Sequence, residues 1–194
     1  FLELGLSPQV YHFQVPVRKA TAASISYGGK TAPLTPLINN AVTPQSINGV
    51  LEGPLYYVGS GALEKLDRKL IKGAVLLMDF DSGRNWLTAA SLGAGAVIFL
   101  DRRVTTSNSF FKEKEELSPI QFPCFWMEMQ EAAELFGPIS SENNGLVVDK
   151  VEVRSQISWQ ESVDKNIYCL IEGTNPELKE NLLIIEAFYD STSY

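Results

Sequence analysis

Histidine and cysteine are close to absent from this chain: His12 is the only imidazole, and Cys124 and Cys169 are the only thiols. A lone histidine without a ligand partner at a useful spacing reads as structural or exposed rather than as a metal ligand. Two cysteines so far apart neither require nor rule out an oxidising compartment, and they read as buried free thiols. No apolar run approaches the roughly 20 residues needed to cross a bilayer, so this chain carries no membrane segment. Its longest run, Gly93 to Leu100, has the length of a buried strand. A basic excess is missing too: 16 Lys and Arg against 23 Asp and Glu leave a net charge of −7. That balance repels phosphate backbones and anionic membrane surfaces, which excludes nucleic acid as a partner. The densest basic cluster, Lys65, Arg68, Lys69 and Lys72, is interleaved with Glu64 and Asp67 and reads as a solvated helix face rather than an anion site. Internal repeats, low-complexity tracts and N-x-[ST] sequons are all lacking, the last fitting a bacterial secreted protein better than a eukaryotic one. The chain opens at Phe1 with no charged n-region or signal core, as expected of a processed or trimmed product.

What is present is an ordinary globular composition, 45% hydrophobic and 20% charged, which argues against disorder. Its 194 residues suffice for one good-sized domain or two small ones. Tyr11 to Val17 alternates and is rich in β-formers, with Pro16 marking it as an edge strand. Ala23 to Tyr27 is a second strand, closed by the Gly28-Gly29 turn. Ala32 to Pro54, with four prolines, reads as a long extended connector. Beyond it, Leu55 to Val58 is a short strand. Leu63, Leu66 and Leu70 then mark one face of a helix over Ala62 to Leu70. Ala74 to Phe80 and Ala94 to Leu100 are buried strands joined by a short helix, Asn85 to Leu92, making one β-α-β unit. Arg102 to Leu117 is polar and holds the charged run Lys112 to Glu116. A strand around Phe125 leads into a helix over Gln130 to Phe136, stopped by Gly137-Pro138. Gly145 to Ile157 alternates as a strand. Ile167 to Ile171 and Leu182 to Ala187 form the expected last hairpin, connected through Glu172 to Asn181.

The sharper chemical motifs mostly resolve into structural ones. Asp79 and Asp81 follow a buried strand, where α/β folds place functional loops, but they lack further acids at cation-site spacing and read as a solvated turn. Ser82-Gly83-Arg84 precedes a helix and matches neither phosphate-binding fingerprint. The same loop, Asp79 to Arg84, is the place a small-molecule sensor would use. Gly59-Ser60-Gly61 is not a nucleophile elbow, and no suitable histidine could activate Ser60. Cys124 sits in an apolar strand and reads as a buried thiol. Trp86, Phe125, Trp126 and Trp159 read as core or interface aromatics, with Trp126 and Met127 as a candidate contact patch.

Gly59-Ser60-Gly61, Leu66-Asp67, Ile71 to Leu77 and Ala89 to Phe99, followed by Phe122-Pro123-Cys124-Phe125-Trp126, resemble in order and spacing the protease-associated domain. The resemblance covers about half of the chain. It implies a mixed β-sandwich or open barrel flanked by short helices, found inside or beside a peptidase domain, where it shapes substrate access or makes protein contacts.

A second resemblance lies in the last thirty or so residues. Asn166 to Gly173, then Leu182 to Ser191, look like the start of the zinc aminopeptidase fold of aminopeptidase Y and the glutamate carboxypeptidases. In that family the second strand ends in Gly-Ala-His-Tyr-Asp-Ser, where the His is a zinc ligand and the Asp bridges two zinc ions. Here Asp190 matches the bridging Asp, while Phe188 stands in the place of the His. A phenyl ring has no lone pair to donate to zinc. The family's remaining ligands lie downstream of this hairpin.

The fold class expected is α+β: a sandwich or open barrel of protease-associated type, plus a small sheet from the chain ends belonging to a peptidase-like domain. Residues 1–45 are expected to give lead-in strands, 46–145 the protease-associated domain, and 146–194 the return to the peptidase-like part. No catalytic or cofactor-binding residue is assigned, and Asp190 is the only candidate metal ligand. This chain is expected to need no cofactor, with zinc open to a longer parent. The expected role is a non-catalytic interaction or substrate-access module whose partner is a protein, a peptide or its own peptidase-like domain. The alternative is a piece of an active zinc exopeptidase. The resemblance also implies an extracytoplasmic location.

Overall fold

The computed structural model describes residues 2–37, 46–101, 120–140, 142, 145–178 and 180–187. Its centre is set by three apolar runs. Val75–Asp79 (β5), Ala96–Asp101 (β6) and Cys124–Glu128 (β7) lie side by side in parallel, with Val75 opposite Ala96 and Val97 opposite Cys124. Leu51–Tyr57 (β4) adds a fourth parallel strand against β5. Such runs alternate between two buried faces, as parallel sheets covered on both sides require. Leu76, Met78, Val97 and Phe99 enter one core cluster. Val75, Leu77, Ala96, Ile98, Phe125 and Met127 enter the other.

Flanking elements close both faces. Leu66 from a single-turn helix (α1, Leu63–Leu66) and Trp86 and Ala89 from α2 (Trp86–Ser91) join the first cluster. There Trp86 stacks on Phe122 at 6.2 Å between ring centroids, and Phe80 meets Phe99 edge-on at 6.4 Å. The second cluster takes Ala132 from α3 (Met129–Phe136). It also takes Ile25 of β1 (Gln9–Tyr27) and Leu34, which follows β2 (Lys30–Pro33). The turn between β1 and β2 places Gly28 at φ 56° and Gly29 at φ 76°, the left-handed pair a two-residue hairpin turn needs. Thr35–Leu37 (β3) pairs antiparallel with β7, and Leu146–Tyr168 (β8) pairs antiparallel with β4. The sheet order is β2-β1-β8-β4-β5-β6-β7-β3. Among the described residues the protein is thus a mixed α+β fold, dominated by an eight-stranded sheet with few, short helices.

Two compact units divide the chain: Phe1–Val17 with Gln160–Tyr194, and Arg18–Trp159. β1 and β8 contribute residues to both. Within the first unit the Tyr168 hydroxyl donates to Gln9 Oε1 at 2.8 Å.

The β-α-β unit, the strand around Phe125 and the helix ending at Gly137 form as the sequence suggests. Three expectations need correction. The connector Ala32 to Pro54 contains β3 and the ends of β2 and β4, with residues 38–45 outside the described set. The helix over Ala62 to Leu70 closes after one turn: Asp67 leaves helical geometry at ψ 146° and Arg68 turns to φ 57°. Only Leu66 of its three leucines is buried, so no apolar stripe holds a longer helix down. Lastly, β8 ends at Tyr168 and the described residues among 169–187 form no strand, so the expected terminal hairpin is not seen among the described residues. An isolated two-stranded hairpin has too little surface to bury to hold itself together. The expected core aromatics Trp86 and Phe125 are buried, whereas Trp159 is exposed.

Candidate functional site

Four parallel strands end on one edge of the sheet, the edge where open α/β sheets present their ligand-binding loops. In β5, β6 and β7 the last residue is acidic: Asp79, Asp101 and Glu128. The register puts Asp101 directly beside Glu128, and Asp79 beside Leu100. Neighbours in register share a face, so Asp79 projects on the opposite side from Asp101 and Glu128. The three carboxylates therefore do not converge. Among the described residues no group of three or more His, Cys, Asp or Glu could hold a metal ion.

The loops of this edge are tied to one another. The Tyr57 hydroxyl donates to Asp79 Oδ1 at 2.9 Å, and the Asp79 amide donates to the Gly59 carbonyl at 2.8 Å. Asn85 Nδ2 donates to the Ser60 carbonyl at 2.8 Å, linking the β4 loop to the start of α2. Gly61 at φ 65° lies so close to Met78 that an added Cβ would overlap its side chain. Ser82 is buried and its Oγ has no hydrogen-bond partner. The turn expected to be solvated is solvated only in part: Asp81 and Arg84 are exposed, while Phe80 and Ser82 are buried. Asp79, by contrast with Asp81, is half-buried and accepts from Tyr57.

The remaining candidates are dispersed. His12 is exposed in β1, and Ser60 is exposed. Cys124 is a buried thiol in β7 and Cys169 a half-buried one after β8. Trp126 is half-buried against the first core cluster, and Met127 is buried in the second. Trp159 lies beneath the Arg18 guanidinium, 5.5 Å from its carbon, and burial lowers Arg18 from its ordinary pKa. Asp190 and Phe188 lie outside the described residues. Sequence reading overlooked Asp101, Glu128 and Tyr57. The signal for the acids was there: each apolar run closes on a carboxylate, as in VLLMD, AVIFLD and CFWME.

No protein-family model matches the chain, and no curated protein does. Solved structures do resemble it. A zinc aminopeptidase from Bacillus subtilis superposes on 90% of this chain with a TM-score of 0.54 at 18% identity. An aminopeptidase from Aneurinibacillus sp. strain AM-1 covers 91% with a TM-score of 0.52 at 17% identity. A peptidase M28 precursor from Shewanella amazonensis SB2B covers 89% with a TM-score of 0.55 at 13% identity. This chain spans 39–43% of the length of those proteins. The fold is therefore peptidase-like, shared with part of each of these chains.

Proposed function

We propose that this chain is a non-catalytic, protease-associated interaction or substrate-access module of a zinc-aminopeptidase-like protein. The carrying observation is Phe188, which stands where the resembled family has a zinc-binding histidine. Zinc in such a site polarises a carbonyl and activates water. Of the resembled ligand motif this chain has one carboxylate, Asp190, and a phenyl group that cannot coordinate. That donor set does not fit the metal. His12 offers no replacement: it is exposed in β1 with no second donor at a useful spacing.

The peptidase-like fold supports the setting, as do exposed apolar side chains outside Arg18–Trp159. Ile171, Leu182, Leu183 and Ile185 are each more than 70% exposed. Large apolar side chains left in water in this number favour a segment that meets other protein. In this reading, residues 1–45 and 146–194 are the chain's links to a peptidase-like body and residues 46–145 are the protease-associated part. Its place is extracytoplasmic, by the same resemblance. Among the described residues no helix is long and apolar enough to cross a membrane.

The second reading, a piece of an active zinc exopeptidase, is favoured by the retained Asp190-Ser191 and by the zinc aminopeptidase neighbours. Zinc titration by calorimetry, with leucine p-nitroanilide hydrolysis on the longest natural form of the protein, separates the two. The first reading predicts no stoichiometric tight zinc and no turnover. Turnover that disappears in Asp190→Asn would establish the second.

A further inference from the structure

Asparagine stands directly before glycine twice in this sequence, at Asn48-Gly49 and Asn144-Gly145. Such a pair is chemically self-reactive. The side-chain carboxamide reaches the next backbone nitrogen, and glycine has no Cβ to screen that nitrogen. The fold treats the two pairs differently.

Around the first pair the chain bulges. Ile47 donates its amide to the Ser155 carbonyl of β8 at 3.0 Å, and Leu51 pairs with Val153. Between these ties β8 has Arg154 alone, while the facing segment has residues 48–50, so the surplus main chain turns outward at the head of β4. Ser46 pins the upstream side: its Oγ donates to the Ile157 carbonyl at 2.7 Å and accepts from the Ile157 amide at 3.0 Å. Asn48 and Gly49 are exposed, and neither makes a hydrogen bond among the described residues. Gly49 sits at φ 82°, with open space where a Cβ would stand.

The glycine of the second pair is held. Gly145 is buried, its amide donates to the Glu142 carbonyl at 2.8 Å, and an added Cβ would strike the Tyr57 carbonyl. A nitrogen already in use as a donor and shut off from water attacks nothing until that corner opens.

We propose that Asn48 is a site of self-modification that converts to isoaspartate and aspartate in the folded protein. The Gly49 nitrogen gives its proton to hydroxide and attacks Asn48 Cγ, forming an N–Cγ bond. The Cγ–Nδ2 bond breaks, and Nδ2 takes a proton from water and leaves as ammonia. Water then opens the resulting imide ring. Opening at Cγ leaves aspartate with the original main chain. Opening at the former main-chain carbonyl leaves isoaspartate, whose main chain runs through Cγ and is longer by a methylene. Either product carries a carboxylate where a neutral amide stood. The bulge has main chain beyond what pairing with β8 uses, so the added length is taken up between the Ile47 and Leu51 ties and the product stays folded. The inference does not depend on whether a parent protein binds zinc or turns over a substrate.

The test holds the whole chain at mildly alkaline pH and body temperature. Peptide mapping by mass spectrometry follows residues 48 and 144, with synthetic aspartyl and isoaspartyl peptides as standards. Residue 48 should convert roughly tenfold or more faster than residue 144, the difference that one retained hydrogen bond at the attacking nitrogen makes. In urea the two rates should converge, because neither glycine is then held. N48Q should abolish conversion at residue 48 and leave the rate at residue 144 unchanged. The aged chain should keep the melting temperature of the fresh one. Equal rates at the two residues in the folded chain would overturn the proposal, as would an unreacted Asn48 over a period in which the urea-unfolded chain converts. A melting temperature that falls in step with conversion would overturn the claim that the bulge absorbs the added length.

Discussion

Val75-Leu76-Leu77-Met78 and Leu182-Leu183-Ile184-Ile185 are equally apolar, yet the first four are fully buried and the second four are 66–88% exposed. Every buried residue among those described falls between Ile25 and Ile157, within the Arg18–Trp159 unit. The other unit, built from both chain ends, contributes none. The difference lies in neighbours rather than in composition. β5 has a parallel strand on each side and side chains above and below, so each of its residues is removed from water. Residues 182–187 have no sheet to join, and the apolar effect has no surface on which to act. Burial of apolar area is the main favourable term in folding. The Arg18–Trp159 unit should therefore carry nearly all of this chain's own stability.

The contrast can be broken most directly in the core. Trp86→Ala removes a fully buried ring stacked on Phe122, and urea unfolding should show a loss of about 3–5 kcal/mol. A loss below about 1 kcal/mol would mean the packing around α2 does not support the fold. Tyr57→Phe deletes the hydrogen bond to Asp79 and should cost about 1 kcal/mol by the same assay, since the carboxylate loses one donor.

Changes in the tail should do less. Leu183→Ser with Ile185→Ser should move stability by no more than about 0.5 kcal/mol and raise solubility, because neither side chain is packed. A large loss would show that the tail is folded against something. The smallest effect concerns pH. Lys150 lies 2.8 Å from Glu52 on the paired strands β8 and β4. Its ammonium is raised above the ordinary lysine value, first by the hydrogen bond to Glu52 and then by that carboxylate's charge. A base whose folded pKa is raised contributes stability below its unfolded pKa, and that contribution is lost as pH climbs through the raised value. Glu52→Gln should therefore flatten a slight alkaline fall in melting temperature and leave the neutral region nearly unchanged.

Much of the fold is legible in the sequence because its central strands are buried on both faces, and burial of that kind writes uninterrupted apolar runs bounded by glycine. β5, α2, β6, β7 and α3 can be read in this way. β2 and β3 cannot. Lys30–Pro33 is mostly exposed and owes its strand to the glycine turn that folds it onto β1. Thr35-Pro36-Leu37 forms an edge strand, where a proline's missing donor is tolerated, so its sequence looks like a connector. Pro16 is a related case. β2 pairs only with Ser24–Tyr27, so that β1 passes through Pro16 without a partner from β2 there. The short reach of α1 was hidden because three leucines at helical spacing look alike whether or not a core waits for them. At the candidate site the acids closing each strand are visible in the sequence. Which acids face each other depends on parallel register, and no local pattern encodes it.

Native-state hydrogen exchange on the intact chain reads this division residue by residue. Amides of β5 and β6 should exchange only through global unfolding, while those of residues 170–178 and 180–187 should exchange at nearly unprotected rates. Protection of Leu182 to Ile185 comparable to that of Val75 to Met78 would contradict the account, because it would mean that this segment is buried by the polypeptide itself rather than left in water.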